Sequence, residues 1–158
     1  MIETWIRQVN RQHESVRQSC SQFAGDFEGY FAPEFLAQCH FVVTPKIPTP
    51  DERLLTQLGL GGFFRHNLAG LTLNDTYYLL PSVAENRRIH FHELVHVVQW
   101  QQLGVGGFVS RYLQEYRHYG YEHMPLERMA YELDSRFVAG GPLIDVEHHV
   151  RTRIGISE

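Results

Sequence analysis

The sequence predicts an α+β domain that is mainly helical and carries a small antiparallel sheet. Apolar residues recur at helical spacing in several segments, and other short segments are rich in the β-branched and aromatic residues of strands. Glycine and proline separate these segments from one another. The length of 158 residues is enough for one domain with its own core, so we expect a single domain over 1–158.

The N-terminal region, residues 1–62, is predicted to hold helices and one strand. Apolar residues at helical spacing predict an amphipathic helix over 2–22. Shorter elements follow: a helix over 33–36 with proline in its first turn, a strand over 40–44, a proline-rich connector over 45–50, and a helix that begins at Asp51.

The region over 63–140 is predicted to hold the functional core, and 141–158 a peripheral tail. Residues 71–79 have a strand-like pattern, with Asn74-Asp75 as a turn or bulge. Helices are then predicted over 87–103 with its end at Gly104, from Phe108 to Gly120 after a tight link at Gly106-Gly107, and from Pro125 to Gly140.

Composition narrows the possible partners and compartment. The net charge of -4 argues against nucleic acid as the main partner. The N-terminus has no apolar segment of the secretory type, and no stretch is long enough to span a membrane. We therefore expect a cytoplasmic protein without a membrane partner, with non-classical secretion as the alternative. Cys20 and Cys39 do not form a CxxC pair, and we expect reduced thiols, with a single disulfide as the alternative.

The segment HELVH, residues 92–96, is the strongest functional signal in the chain. On a helix, residues i and i+4 share a face, so His92 and His96 can bind one metal ion together. Glu93 would lie beside the metal, where its carboxylate can take a proton from a bound water. This pattern is the HExxH signature of zinc metallopeptidases. The alternative is a pair of core histidines that hydrogen-bond to backbone carbonyls.

A catalytic zinc ion usually has three protein ligands, so one more ligand must lie elsewhere in the chain. A histidine six residues after His96 would complete one common pattern, but Gln102 occupies that position. A glutamate on a later helix completes another, and Glu127 fits it; a glutamate at a helix start is also favoured by the helix dipole alone. Other candidates stay open: Glu132, His118 and His123.

HELVHVVQ (92–99), followed by PLERMAYE (125–132), resembles small bacterial gluzincins, the HExxH…E group of zinc peptidases. It is also similar to uncharacterised zincin-like families with an HELxHxxQ helix and a later PLExxA helix. The resemblance covers roughly residues 70–138. It implies a zincin-like fold, with the sheet beside the active-site helix, and Zn²⁺ as the cofactor. It further implies Glu127 as the third ligand beside His92 and His96.

Three further residues are candidates for supporting roles. Tyr131 shares a helix face with Glu127, and its hydroxyl could orient a ligand or stabilise an oxyanion in catalysis. Asp134 shares that face too and could accept a hydrogen bond from the free nitrogen of His92 or His96. Gln99 could cap the pocket floor. The structural alternatives are a packed tyrosine and a solvated aspartate.

The expected function is zinc-dependent hydrolysis of a peptide bond in a peptide or protein substrate. Zinc would polarise the scissile carbonyl and activate a water, with Glu93 as general base. The segment 71–79 could be an edge strand along which an extended substrate adds. The alternative is a catalytically silent zinc-binding structural or interaction module, whose closed site would need a fourth ligand such as His123. The sequence specifies neither the cleavage site nor the oligomeric state.

Overall fold

One long helix, α4 (Arg87–Tyr119), organises the computed structural model of this chain, which describes residues 1–63 and 68–156. The helix begins at this point because the Asn86 side chain accepts hydrogen bonds from the backbone N–H groups of Arg88 and Ile89, at 3.0 and 3.4 Å. All residues from His90 to Trp100 are buried, so other elements pack around every side of this segment.

The sequence predicts that a helix ends at Gly104, and α4 is kinked at this residue. The backbone of Gly104 (φ 76°, ψ 164°) is non-helical, and only glycine adopts these torsions readily. The kink divides α4 into an upstream half (87–103) and a downstream half (105–119). The tight link predicted at Gly106-Gly107 is wrong, because both glycines lie within the downstream half.

Shorter helices surround α4: α1 (Ile2–Gln12), α2 (Pro33–Leu36), α3 (Glu52–Gln57), α5 (Pro125–Ala139) and α6 (Val146–Ile156). The predicted short helix over 33–36 is confirmed. Helix α3 begins after Asp51, as predicted, because the Asp51 carboxylate accepts a hydrogen bond from the N–H of Leu54 at 2.8 Å. Single 3-10 turns occupy Cys20–Phe23, Pro81–Val83 and Tyr121–His123.

The first helix is shorter than the predicted range of 2–22. After α1 the chain turns, and the N–H of Arg17 donates to the carbonyl of His13 at 3.0 Å. Val16, which fits the apolar face in the sequence, is 61% exposed. Ser19 then starts a 3-10 turn, since its side chain accepts a hydrogen bond from the N–H of Ser21. The apolar residues over 2–22 that fit one helical pattern in the sequence therefore belong to separate elements of the structure.

The strands β1 (Gln18–Ser19), β2 (His40–Val43), β3 (Gly70–Leu73) and β4 (Thr76–Leu79) form a sheet in the order β1-β2-β4-β3. The mainly helical α+β class is confirmed. The sheet, however, is mixed, because β2 pairs with β4 in parallel while the outer pairs are antiparallel. Residues 44–75 connect β2 to β4, and this connection is long enough for the crossover that a parallel pair requires.

The predicted strand-like segment 71–79 is a hairpin of β3 and β4. The chain reverses at Asn74-Asp75, where Asn74 has φ 65°, a left-handed conformation that asparagine tolerates. Strand β4 lies inside the sheet and β3 at its edge, so only the first half of the segment is an edge strand.

The C-terminal segment belongs to the core, and the prediction of a peripheral tail is wrong. Val146, Val150 and Ile154 are spaced four residues apart on α6 and are all buried. Helix α6 packs on α4, and the N–H of Val146 donates to the carbonyl of Tyr30 at 3.1 Å. Helix α5 ends as predicted, at a left-handed Gly140. Residues 64–67 of the predicted functional core and 157–158 of the predicted tail lie outside the described residues.

Cys20 and Cys39 are free thiols, as expected, and both are buried. They lie opposite each other where the β1–β2 pairing ends, and the N–H of Cys20 donates to the carbonyl of Cys39 at 3.0 Å. Burial raises the pKa of Cys20 to about 12. Within the described residues, no helix combines the length and apolar character needed to cross a membrane.

Candidate metal centre

Two histidines on successive turns of α4 face each other. The Nε2 atoms of His92 and His96 are 3.2 Å apart, and the two residues are only 9% and 5% exposed. The helix is regular here, so the spacing of HELVH puts both rings on one face, as predicted. Leu94, Val95 and Val98 are fully buried on the remaining faces, and their packing fixes the rotation of the helix.

Glu127 reaches the same point from the first turn of α5. Its Oε1 atom lies 3.3 Å from Nε2 of His92 and 3.1 Å from Nε2 of His96. Helix α4 itself positions this turn, because Glu115 accepts a hydrogen bond from the N–H of Leu126 at 2.8 Å. The three side chains form a buried group that could hold a metal ion, with ligand atoms within 4.8 Å of one another.

Hydrogen bonds on the far side of each imidazole determine which ring nitrogen faces this point. Nδ1 of His92 lies 2.8 Å from Oδ2 of Asp134, and Nδ1 of His96 lies 2.8 Å from Oε1 of Gln99. Both partners are acceptors, since the Gln99 amide nitrogen already donates to a backbone carbonyl of α5. Nδ1 therefore carries the hydrogen in both rings, and neutral rings present bare Nε2 lone pairs to Glu127.

This set of donor atoms fits a cation. Two nitrogen lone pairs and a carboxylate oxygen converge, and they repel each other unless a positive charge lies between them. In the metal-free protein, protons compensate: burial alone would lower the pKa of His92, but hydrogen bonds with Asp134 and Glu127 raise it to about 10. Burial alone would raise the pKa of Glu127, but His96 and His92 bring it below its usual range. Two imidazoles and a carboxylate are ligands that suit zinc.

Asp134 contacts His92, one of the two histidines that the sequence interpretation suggested as its partner. Asp134 is 2% exposed, and its other oxygen accepts a hydrogen bond from Nε of Arg88 at 2.7 Å. Arg88 also donates to the hydroxyl of Ser135 at 2.8 Å. Asp134 of α5 thus connects Arg88 of α4 to the imidazole ring of His92, which is also on α4. Gln99 orients His96 in the same way, which is a more specific role than the pocket floor.

Glu93 lies beside the group and is held by the sheet. The hydroxyl of Thr72, on β3, donates to Oε1 of Glu93 at 2.8 Å. Gly70 leaves space for the other oxygen, since a Cβ atom at this position would lie 3.3 Å from Oε2. The described residues supply no hydrogen bond to Oε2, and Glu93 lines the same cavity as His92 and His96. A carboxylate with one fixed and one accessible oxygen can act as a base.

Tyr112 is a site residue that the sequence patterns missed. Its hydroxyl donates to Oε2 of Glu127 at 2.9 Å, which leaves Oε1 for the histidines. Burial raises the pKa of Tyr112 well above its usual value, so the hydroxyl keeps its proton. In the sequence, Tyr112 is one apolar-face position of a helix. Thr72 was missed for the same reason: no local spacing relates either residue to its carboxylate.

Tyr131 lies next to the metal-facing group, at its exposed side. Its ring centroid is 4.5 Å from that of His92, and the residue is 46% exposed. Its hydroxyl forms a hydrogen bond with Tyr121, which lines the cavity. The assignment of an oxyanion-stabilising role to Tyr131 stays a prediction.

The alternative candidates for the third metal ligand lie outside the group formed by His92, His96 and Glu127. His118, His123 and Glu132 are all exposed. Among the residues that the structure describes, the group able to hold a metal ion consists of His92, His96 and Glu127 alone. Glu127 is therefore the candidate ligand that the fold supports.

A cavity of about 120 Å³ opens beside the group. It is bounded by α1, by residues between 50 and 63, by β3, and by the downstream half of α4. Most of its lining is aliphatic or aromatic, and its polar lining includes His92, Glu93, His96 and Glu127 of the metal centre. The metal centre therefore borders a largely apolar space.

Comparisons of this chain with protein-family models, with curated proteins and with solved structures find no match. The resemblance to gluzincins rests on the two sequence motifs, HELVH and PLERMAYE, and stays a prediction.

Proposed function

We propose that this chain is a zinc-dependent metallopeptidase that hydrolyses peptide bonds. The convergence of His92, His96 and Glu127 on one point, with Glu93 beside them, carries the proposal. Catalytic zinc sites usually have three protein ligands, whereas structural zinc sites have four. His123, the fourth ligand suggested for a silent zinc module, is exposed and outside the group, which favours the catalytic interpretation.

Each side chain has a distinct part in the proposed reaction. A bound zinc ion supplies a Lewis acid at the centre. Thr72 fixes Oε1 of Glu93, so Oε2 takes a proton from the attacking water and delivers it to the leaving amine. Asp134 and Gln99 keep the Nε2 atoms of the two histidines turned towards the centre.

Strand β3 offers a place for the substrate backbone. It is the outer strand of the sheet, and Gly70, Leu71 and Thr72 line the cavity. An extended peptide that adds to this edge forms backbone hydrogen bonds with β3 and passes close to Glu93. The glycine at position 70 allows a close backbone approach.

The test combines metal content with peptide hydrolysis. Elemental analysis of the wild type should give about one zinc ion per chain, and both His96→Ala and Glu127→Ala should lose it. The matched controls His118→Ala on α4 and Glu132→Ala on α5 are exposed and should retain zinc. Glu93→Gln should retain zinc but lose hydrolysis of a mixed peptide library.

Two results would overturn the proposal in different ways. If Glu127→Ala retains its zinc, the proposed metal centre is wrong. If the zinc-loaded wild type hydrolyses no peptide of the library, the peptidase function is wrong and the silent zinc-binding module is favoured.

A further inference from the structure

The cavity beside the metal centre is walled by large apolar side chains. Trp5 and Ile6 of α1 form one wall, and Phe108, Val109 and Leu113 of the downstream half of α4 form another. No lysine or arginine lines it among the described residues, and the carboxylates that line it belong to the metal centre itself. Space of about 120 Å³ is several times what one water molecule needs.

We propose that this cavity binds a bulky, uncharged apolar side chain of the substrate, next to the bond that is cleaved. The inference rests on the proposed peptidase function and adds the substrate class. It makes α1, which lies outside both sequence motifs, a determinant of specificity.

The position of the cavity relative to β3 supports an occupant that is part of an extended peptide. Successive side chains of an added strand point to opposite faces, so every second one faces the same side of the sheet. Leu71 and Thr72 of β3 line the cavity, and so do both metal-facing histidines. A side chain from a residue at the scissile bond can therefore enter the cavity while the backbone lies along β3.

The apolar lining of the cavity selects against ionised side chains. An acidic side chain would lose its hydration there, and no lysine or arginine among the described lining residues would compensate its charge. A basic side chain would also lose its hydration; the lining oxygen that could pair with it is Oε2 of Glu93, the atom that takes the proton of the water in the proposed reaction. An aliphatic or aromatic side chain gains from the removal of its surface from water.

Hydrogen bonds fix the position of α1, which forms one wall of the cavity, relative to the edge strand β3. The side-chain amide of Asn10 donates to the carbonyl of Leu73 at 2.9 Å, and its oxygen accepts from the hydroxyl of Tyr78 at 2.7 Å. Both partners belong to the β3–β4 hairpin. Trp5 is consequently fixed relative to the strand on which the substrate would lie.

Intrinsic fluorescence gives a direct readout of occupancy, because the two tryptophans of the chain, Trp5 and Trp100, both line the cavity. The protein is titrated, both metal-free and zinc-loaded, with the N-acetyl amides of phenylalanine, leucine, aspartate and lysine. We expect the phenylalanine and leucine compounds to change the emission at concentrations at least about tenfold lower than the charged ones. Equal responses to all four would overturn the inference.

A pair of variants locates the binding. Leu113→Lys puts a charge in the cavity wall and should weaken binding of the phenylalanine amide at least about tenfold. Leu143→Lys is the control, since Leu143 is 66% exposed and does not line the cavity. Unchanged affinity in a folded Leu113→Lys variant, with folding checked by circular dichroism, would also overturn the inference.

The outcomes separate this inference from the proposed function. Hydrolysis without a preference for apolar residues at the cleavage site overturns the substrate class and leaves the peptidase standing. If the metal-free protein binds the apolar amides but the zinc-loaded protein hydrolyses no peptide, the peptidase function is overturned and the apolar binding cavity stands.

Discussion

Asp134 accepts a hydrogen bond from Nδ1 of His92 at 2.8 Å, and this bond connects α5 to the metal-facing side of α4. Arg88 holds the other oxygen of Asp134 at 2.7 Å, so the carboxylate cannot turn away. The bond selects the tautomer in which Nε2 of His92 is free for a metal ion. Asp134 therefore influences metal affinity without contacting the metal.

Asp134→Asn should weaken zinc binding about 10- to 100-fold, because the amide removes the charge that stabilises the oriented imidazole. Competition with a chelator of known affinity measures the change. Asp26→Asn is the matched control: Asp26 pairs with Arg87 at 3.0 Å, but both side chains are almost half exposed, and zinc affinity should not change. Equal affinities in the two variants would show that Asp134 has no influence on the metal centre.

Gly70→Ala should reduce peptide hydrolysis by up to about 100-fold and leave zinc content unchanged. The added Cβ would lie 2.9 Å from Cδ2 of Leu79 and 3.3 Å from Oε2 of Glu93, the proposed proton-accepting atom, so that the Leu79 side chain and the Glu93 carboxylate must shift to make room. Steady-state kinetics on one peptide substrate gives the comparison. Gly25→Ala is the control, since a Cβ there meets nothing within 4 Å. Full activity in Gly70→Ala would contradict the expectation that hydrolysis requires the close approach of Gly70 to the Glu93 carboxylate.

Tyr112→Phe should weaken zinc binding by about tenfold, because the charge-assisted hydrogen bond that fixes Glu127 is lost. The ring and its packing against Phe63 and Phe108 remain. Isothermal titration with zinc, at constant pH, measures the effect. Tyr116→Phe, on the same half of α4, is the control and should bind zinc as the wild type does. A loss of affinity in both variants would point to a packing effect.

Val150→Ala should lower the free energy of unfolding by about 2 kcal/mol, because it removes two buried carbon atoms from the core and leaves a cavity. Urea unfolding followed by circular dichroism is a suitable measurement. In Val138→Ala the side chain is 56% exposed, and the change should stay within about 0.5 kcal/mol. If Val150→Ala were as mild as its control, α6 would be peripheral after all.

Cys20 and Cys39 should react with a disulfide reagent at pH 8 at least about a hundredfold more slowly in the native protein than in urea. Burial raises the pKa of both thiols, and the thiolate is the reactive form. The release of the coloured leaving group gives both rates. Rapid reaction without denaturant would mean that this part of the core opens frequently, or that the thiols are accessible.

Local patterns were sufficient for much of the metal centre. The i, i+4 spacing of His92 and His96 depends only on a regular helix, and the kink of α4 at Gly104 and the end of α5 at Gly140 depend on torsions that glycine provides. The place of Glu127 followed from a proline-started helix and from a resemblance. These signals lie within a few residues of the feature that they predict.

The rest depends on contacts that are distant in the chain. Tyr112 meets Glu127 only because α4 and α5 pack against each other, and Thr72 meets Glu93 only because β3 lies beside α4. The parallel pairing of β2 with β4 has the same origin. In the C-terminal segment, Val146, Val150 and Ile154 are separated by polar and charged residues. Their pattern alone does not show that this helix packs against α4.

The kink at Gly104 divides α4 into a half that carries the histidines and Glu93 and a half that carries Phe108, Val109 and Leu113 of the cavity lining. Substitutions at these three cavity-lining positions can reshape the cavity while the ligand geometry stays unchanged, provided that Tyr112 and Glu115, which hold Glu127 and its turn, are kept. Descendants of this protein could therefore diverge in what they recognise while their chemistry is inherited intact.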